Sequence, residues 1–484
     1  MDTISENIKA FFQSFSSEEI TSFEKLPKSG GDRIYFRVTT PTKSYIITYN
    51  ENISENDAFL HFTEHFHKIN APVPVILLKH PDGKMYVQQD FGTVSLLNEL
   101  EKHGQNDYVF SLFQKSLKSL AALQIGGIKE FDFSFCLTSA EFGKQAIMSD
   151  LLYFKYYFLD TLKIPYDKEK LIENFETLSS YLSHANHKYF MFRDFQSRNV
   201  YVQDDEVHFI DYQGGMKGAL QYDVASLLWQ ARANLTEDWK NNLLEYYMDC
   251  VSEFLGEPID KIEFVNQYNG YVLIRLMQVL GAYGFRGLFE RKAQFLTSIP
   301  LALTNLKWFA ANKKMGVSLP EYDRVVQLIV KDEVVNRFKP IQANDDTSLI
   351  VIINSFSFIK SGYPTDSGKN GGGFVFDCRG LLNPGRFEEY KTLTGRDKPV
   401  IDFLEQQTKM PEFLNGVFNS VDISVEDYIT RNFSSLMINF GCTGGQHRSV
   451  YAADALARYL RNKYNVKVEL NHLEQGIYEK KGFE

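Results

Sequence analysis

The chain has 484 residues, with 44% hydrophobic and 23% charged side chains and a formal net charge of −9. That length exceeds what one hydrophobic core serves and predicts two or three domains, while the charge excludes a general affinity for nucleic acid or anionic membrane, though not a local basic patch. Four cysteines, at 136, 250, 378 and 442, lie far apart with no C-x-x-C pair, which excludes a zinc ribbon or a disulfide framework. The opening MDTISENIKAFFQSF lacks the basic start and cleavage site of an export signal, and no later window is charge-free over a bilayer span. A cytoplasmic protein without membrane association is expected.

From about residue 20 to 95, short alternating runs at Ile34 to Val38, Tyr45 to Tyr49 and Met85 to Gln89 predict a small sheet, interrupted by one helix from Glu55 to Ile69. From about 96 to 335 long amphipathic segments, Val109 to Leu123, Ala146 to Leu162 and Glu263 to Leu280, predict a helical lobe with one polar hairpin near 199 to 211. The stretch 336–346, RFKPIQANDDT, loses apolar periodicity and reads as a linker. In 347–484, Leu349 to Ile353, Phe374 to Asp377 and Leu436 to Phe440 read as buried strands, the last leading through glycines into a helix from Val450 to Arg461, an α/β arrangement.

The run Phe192-Arg193-Asp194-Phe195-Gln196-Ser197-Arg198-Asn199 is followed twelve residues after Asn199 by Asp211 in Phe209-Ile210-Asp211-Tyr212-Gln213-Gly214. Phosphoryl transfer needs a carboxylate to orient the attacking hydroxyl and metal ligands to screen the phosphates, and D-x4-N is the spacing of a kinase catalytic loop. A hairpin of Val200 to Gln203 and Val207 to Ile210, turned at Asp204-Asp205, returns Asp211 to Asn199. The glycines Gly30 and Gly31, between Leu26 and the strand Ile34 to Val38, either let backbone N–H groups approach phosphate or form only a tight turn. Glu55 either positions a phosphate-binding cation or serves the helix dipole.

The pieces GGDRIYFRV, ENDAFLHF, APVPVIL, VQQDFG, FRDFQSRNV, FIDYQGG and QYDVASLL resemble, in order, the aminoglycoside phosphotransferase and choline kinase superfamily, closest to the anomeric kinases of N-acetylmuramate and N-acetylglucosamine. The resemblance implies an α+β bilobal protein-kinase-like fold over 1–335, with ATP and Mg²⁺ as cofactors. It further implies Asp194 as catalytic base, Asn199 and Asp211 as metal ligands, and Asp223 as a buried anchor. Two departures stand out. Phe192 occupies a position where His is frequent, and the strand Tyr45-Ile46-Ile47-Thr48-Tyr49 lacks the usual phosphate-binding Lys, for which Arg37 or Lys28 is the expected substitute. The aromatic run Asp150 to Tyr157 reads as core packing or as a face for a sugar ring.

The sequence Gly441-Cys442-Thr443-Gly444-Gly445-Gln446-His447-Arg448-Ser449 runs from a strand into a helix N-terminus, a cradle for phosphate. Cys442 and Arg448 also have the C-x5-R spacing of cysteine phosphatases, but Gly441 replaces the usual His and no acid loop is evident. Together with Gly362-Tyr363-Pro364, Phe374 to Arg379, Leu382-Asn383-Pro384 and Leu393 to Val400, this segment resembles the C-terminal domain of the RNase adapter RapZ. That resemblance implies a separate α/β C-terminal domain sensing a sugar phosphate such as glucosamine-6-phosphate and binding a small RNA. Thr443, Gly444, Gly445, Gln446, His447, Arg448 and Ser449 would line the cradle, with Asp377, Arg379 and Asn383 beside it. From 347 to 484 there are 16 basic and 16 acidic residues, so a sugar phosphate or nucleotide sugar is favoured over RNA. The expectation is a kinase of an amino-sugar substrate in cell-wall salvage. Its alternatives are a pseudokinase sensor or RNA adapter, and a kinase of an aminoglycoside or choline.

Overall fold

The computed structural model describes every residue except 1–2, 27–32, 187, 291–292, 297, 340, 367–371 and 482–484. It divides into two compact units, one running to Arg337 and the other starting at Phe338.

In the first unit a five-stranded antiparallel sheet has the order Ser22–Lys25, Ile34–Thr39, Ser44–Tyr49, Met85–Gln89, Ile76–Lys79. One face, carrying Phe36, Val38, Ile47, Met85 and Val87, is covered by Ile8, Phe11 and Phe12 of a helix, Thr3–Phe15. Side chains alternate along a strand, so Arg37 and Thr48 stand on the other face. The two four-residue edge strands have no counterpart among the elements expected from sequence, because four residues are too few for a period to register; the helix precedes the first expected element.

A second helix, Ile53–Lys68, starts at Asn52, whose side chain accepts from the Glu55 N–H. It buries Phe59, Phe62 and Phe66, and these rings meet Tyr86 of the sheet, Tyr212 and Phe190 at centroid distances of 4.9 to 5.8 Å. The Thr63 hydroxyl lies 2.5 Å from that of Tyr212. This aromatic seam fixes the helix bearing Glu55 against the segment bearing Asp211.

The helical lobe is built on Asp107–Gly126, Lys144–Phe154, Lys168–Leu182, Leu220–Leu228, Glu237–Leu255 and Lys261–Tyr283. The run expected as one helix from Ala146 to Leu162 changes at Lys155–Asp160 to a π-helical turn, and a second such turn, Gly284–Phe289, packs against it. Gly284 sits where a Cβ would stand 2.2 Å from the Tyr157 carbonyl, so only glycine allows that approach. By length and apolar content the stretch Lys261–Phe289 would suffice to cross a membrane, but it is largely buried inside this unit. It is a core helix.

The second unit is a five-stranded sheet in the order Gly373–Asp377, Ser435–Cys442, Ile350–Ser357, Lys467–His472, Ile477–Lys481, parallel except for the last pair. The helix Arg448–Tyr464 follows the second of these strands. Parallel register places Asp377 against Gly441 and Ser357 against Cys442, so the loops that follow these strands share one edge, the usual ligand side of such sheets. Residues 342 and 343, expected within the linker, are already pinned to this unit: the Gln342 amide donates to Lys463 O at 2.6 Å and Ala343 N–H to Tyr464 O at 2.7 Å. Burial of Ala343 is the reason.

Candidate functional site

Between the short pairs Tyr189–Met191 with Met216–Gly218 and Val200–Gln203 with Glu206–Phe209, the chain makes the loop that carries Asp194. Asp204 and Asp205 both adopt positive φ, as a two-residue hairpin turn requires. The loop is suspended from Asp223, which is fully buried and accepts from Phe192 N–H at 2.8 Å, Arg193 N–H at 3.2 Å and the Gln124 amide at 2.9 Å. Burial pushes its carboxyl up to about 7, against the downward pull of those three donors. Arg193 has φ +74°, a costly conformation for a residue other than glycine, and its guanidinium is clamped by Asp150 at 2.8 and 3.1 Å. Phe192 stands where a His was the commoner expectation and supports the loop by packing, edge-on, against Phe195, Phe209 and Tyr212.

Asp194, Asn199 and Asp211 come together. The Asn199 amide donates to Asp194 O at 2.9 Å and to Asp211 Oδ2 at 3.3 Å, while Asp211 Oδ1 accepts from the Gln213 amide at 2.9 Å. Asp211, like Arg193, is held at positive φ, +67°. The Asn199 amide oxygen accepts no hydrogen bond among the described residues. An amide oxygen beside a carboxylate suits a hard cation that completes its shell with phosphate oxygens, so this donor set fits Mg²⁺. The Asp194 side chain is half exposed and accepts from Arg275 Nη2 at 3.1 Å. What burial it has would raise its carboxyl, but Arg275, with Arg193 and Arg198, holds it below the usual carboxylate range.

Arg37, expected as a substitute for the missing cation, is paired within the sheet-rich half. Its guanidinium is bound to Asp90 at 2.7 and 3.0 Å and to Gly92 O at 2.6 Å, and the Asp90 side chain is only 2% exposed. Withdrawing Arg37 would strand a buried carboxylate at a cost of about 3–5 kcal/mol. Among the described residues, a cation that faces the metal-ligand side of the cluster is Arg33, whose Nη2 lies 3.0 Å from Glu55 Oε1 and 3.4 Å from Asp211 Oδ1. Glu55 is itself held by the Asn50 amide at 2.9 Å. Gly30, Gly31 and Lys28 lie outside the described residues.

In the second unit the loop 442–449 enters the N-terminus of Arg448–Tyr464. Thr443 is exposed and Gly444 half-buried, whereas Gly445, at φ +67°, donates its N–H to Cys442 Sγ. Three side chains expected to line the cradle are engaged elsewhere. The Gln446 amide donates to Lys391 O and Leu393 O, His447 Nε2 meets Tyr390 O at 2.9 Å, and Arg448 Nη1 donates to Arg379 O and Leu381 O. These bonds tie the loop to the segment 379–393. Arg448 Nε is buried without a partner among the described residues. Ser449 Oγ lies 3.1 Å from Cys442 Sγ, Asp377 and Arg379 pair with each other, and Asn383 caps the Gly385 N–H. The Cys442 side chain is buried and Arg448 turns to carbonyls, an arrangement unsuited to a phosphatase nucleophile.

Sequence reasoning assigned no role to Arg33, Asp150, Gln213 or Arg275. Only Arg275 carried a signal, a lone charge inside the apolar run YVLIRLMQVL. Replacing Asp223 with Ala leaves three buried donors without an acceptor and is expected to cost about 3 kcal/mol or more in chemical denaturation; Asp223→Asn, keeping one acceptor oxygen, costs less. Equal stability of the Ala variant and the parent would contradict the role given to this carboxylate.

Comparison with known proteins gives a matching picture. Residues 23–254 match the phosphotransferase enzyme family and residues 349–475 the RapZ C-terminal domain. A nucleotide-binding protein of Glaesserella parasuis serovar 5 (strain SH0165) is 39% identical over 132 residues, which is 27% of this chain and 44% of that protein. Another of Shewanella amazonensis (strain ATCC BAA-1098 / SB2B) is 34% identical over 182 residues, 36% of this chain and 62% of that one. The chain thus spans about half the length of the curated relatives it matches. Among solved structures, the choline kinase LicA from Streptococcus pneumoniae has 14% identity and a TM-score of 0.43, over 64% of this chain and 99% of that one. The Plasmodium vivax ethanolamine kinase has 16% identity and a TM-score of 0.41, over 62% and 85%. The chain therefore joins a kinase-like domain of the phosphotransferase enzyme family to a separate RapZ C-terminal domain.

Proposed function

We propose that the first unit transfers the γ-phosphoryl group of ATP to the anomeric hydroxyl of an amino sugar, N-acetylmuramate or N-acetylglucosamine, in cytoplasmic salvage of cell-wall sugars. The observation that carries this reading is the gathering of Asp194, Asn199 and Asp211 through hydrogen bonds to Asn199, within a domain of the phosphotransferase family. Asn199 and Asp211 would hold Mg²⁺, which when bound screens charge on the phosphates. Asp194, ionised at neutral pH, accepts a hydrogen bond from the acceptor hydroxyl and orients it for attack.

Three features support a sugar over choline or an aminoglycoside. Arg275, Arg193 and Arg198 make the surroundings of Asp194 cationic, and a cationic acceptor would meet like charge there. A carboxylate with a lowered pKa is a weak base and suits an acidic hydroxyl, and the anomeric hydroxyl is the most acidic of a free sugar. The helix that supplies Asp150 to Arg193 also carries Tyr153, which begins a chain of rings through Tyr157, Phe285 and Phe289 at 4.7, 4.8 and 5.6 Å. Such faces suit the apolar side of a sugar ring.

For the second unit the proposed ligand is a sugar phosphate or nucleotide sugar at the 442–449 loop, which makes it a ligand-responsive module. The balance of 16 basic and 16 acidic residues leaves RNA the less favoured partner. A pseudokinase sensor is the second reading, favoured by Thr48 on the strand that would carry the phosphate-binding Lys.

An ADP-release assay over amino sugars, choline and an aminoglycoside is expected to show turnover with an amino sugar, and Asp194→Asn to lower kcat about 10²–10⁴-fold. No turnover with any acceptor favours the sensor. Repeating the assay with glucosamine-6-phosphate should change the rate, and an unchanged rate counts against a regulatory module. Because Arg275 holds the Asp194 carboxyl low, activity should persist as pH falls to the ordinary carboxylate range and fade only below it. In Arg275→Gln the acid limb of the kcat profile should move to higher pH; an unmoved limb would contradict the pairing.

A further inference from the structure

We propose that Arg33 is the nucleotide-phosphate cation of this domain, an arginine ahead of the second strand doing what a lysine on the third strand does in other kinases; the proposal rests on the kinase reading above. The Arg33 side chain is 9% exposed, yet a single nitrogen, Nη2, is shared between two carboxylates, Glu55 and Asp211. These carboxylates differ in kind. Glu55 is fixed by Asn50 and stands at the first turn of Ile53–Lys68, whereas Asp211 belongs to the group that fits a divalent cation and is 34% exposed. A guanidinium is a rigid fork with five donors, so it can keep one partner on one edge and meet phosphate oxygens with another. Arg33 can therefore stay with Glu55 and exchange Asp211 for phosphate.

The sheet explains why the charge has moved. In register Thr48 pairs with Tyr35 on one side and Tyr86 on the other, and its hydroxyl is buried with no partner among the described residues. Fully buried Thr48 offers no charge where a strand-borne cation would emerge. The neighbouring cation on this face, Arg37, is committed to Asp90. Of these two arginines, Arg33 is the one whose carboxylate partners include a candidate metal ligand.

The test is direct binding to the full chain in Mg²⁺ buffer, by calorimetry, with ATP and with adenosine as separate probes. Arg33→Gln should bind ATP about tenfold or more weakly, since a charge-assisted hydrogen bond is lost, while adenosine affinity stays within about twofold. Arg33→Lys, which keeps the charge without the fork, should fall between, and it serves if the Gln variant does not fold. ATP affinity unchanged in both variants would overturn the proposal, and so would adenosine weakening in step with ATP, which marks a merely structural arginine. Failure of the unaltered chain to bind ATP would remove the kinase reading itself, and with it any phosphate for Arg33 to meet.

Discussion

A buried carboxylate, Asp223, is the constraint on which the rest of the first unit depends. By taking the N–H groups of Phe192 and Arg193 it fixes the backbone immediately before Asp194. That attachment allows Arg193 to remain at positive φ, and the Asp150 clamp adds to it. The hairpin beyond then closes at a length that returns Asp211 to Asn199. Without a fixed loop the bonds from the Asn199 amide to the Asp194 backbone carbonyl and the Asp211 carboxylate would have to order this stretch unaided, against about 1–2 kcal/mol of backbone entropy per residue.

Much of this was legible in the sequence because it is local. D-x4-N, a two-strand return and a second Asp before two glycines are short-range signals, and the return is displaced by only one residue, to Glu206–Phe209 from the expected Val207 to Ile210. Gly215 shows why the second glycine is needed: a Cβ there would stand 2.2 Å from the Phe190 ring. What sequence could not give is the choice among equivalent charges. Arg37 stands on the second strand and Arg33 just ahead of it, four residues away, and the position of Asp90, 53 residues beyond Arg37, decides which is consumed as structure. Arg275 lies 81 residues from Asp194 and its pairing is likewise a tertiary fact.

The second unit shows a similar limit. Strand, glycine turn and helix were recognisable, but the side chains of Gln446, His447 and Arg448 turn to backbone carbonyls supplied by residues 379–393, contacts no local pattern encodes. A loop stitched to its neighbours in this way presents exposed Thr443 and half-buried Gly444 at its open end. The chemistry suggested for the two units is complementary, since one would make a phosphorylated amino sugar and the other would recognise a compound of that class.

The most direct measurement is ³¹P NMR of ATP incubated with the purified chain, Mg²⁺ and N-acetylmuramate or N-acetylglucosamine. The account predicts loss of the γ-phosphate resonance and growth of a sugar-phosphate signal split by the anomeric proton. A phosphate signal coupled to a different sugar proton would contradict the anomeric assignment, and an unchanged ATP spectrum with both sugars would contradict the account as a whole.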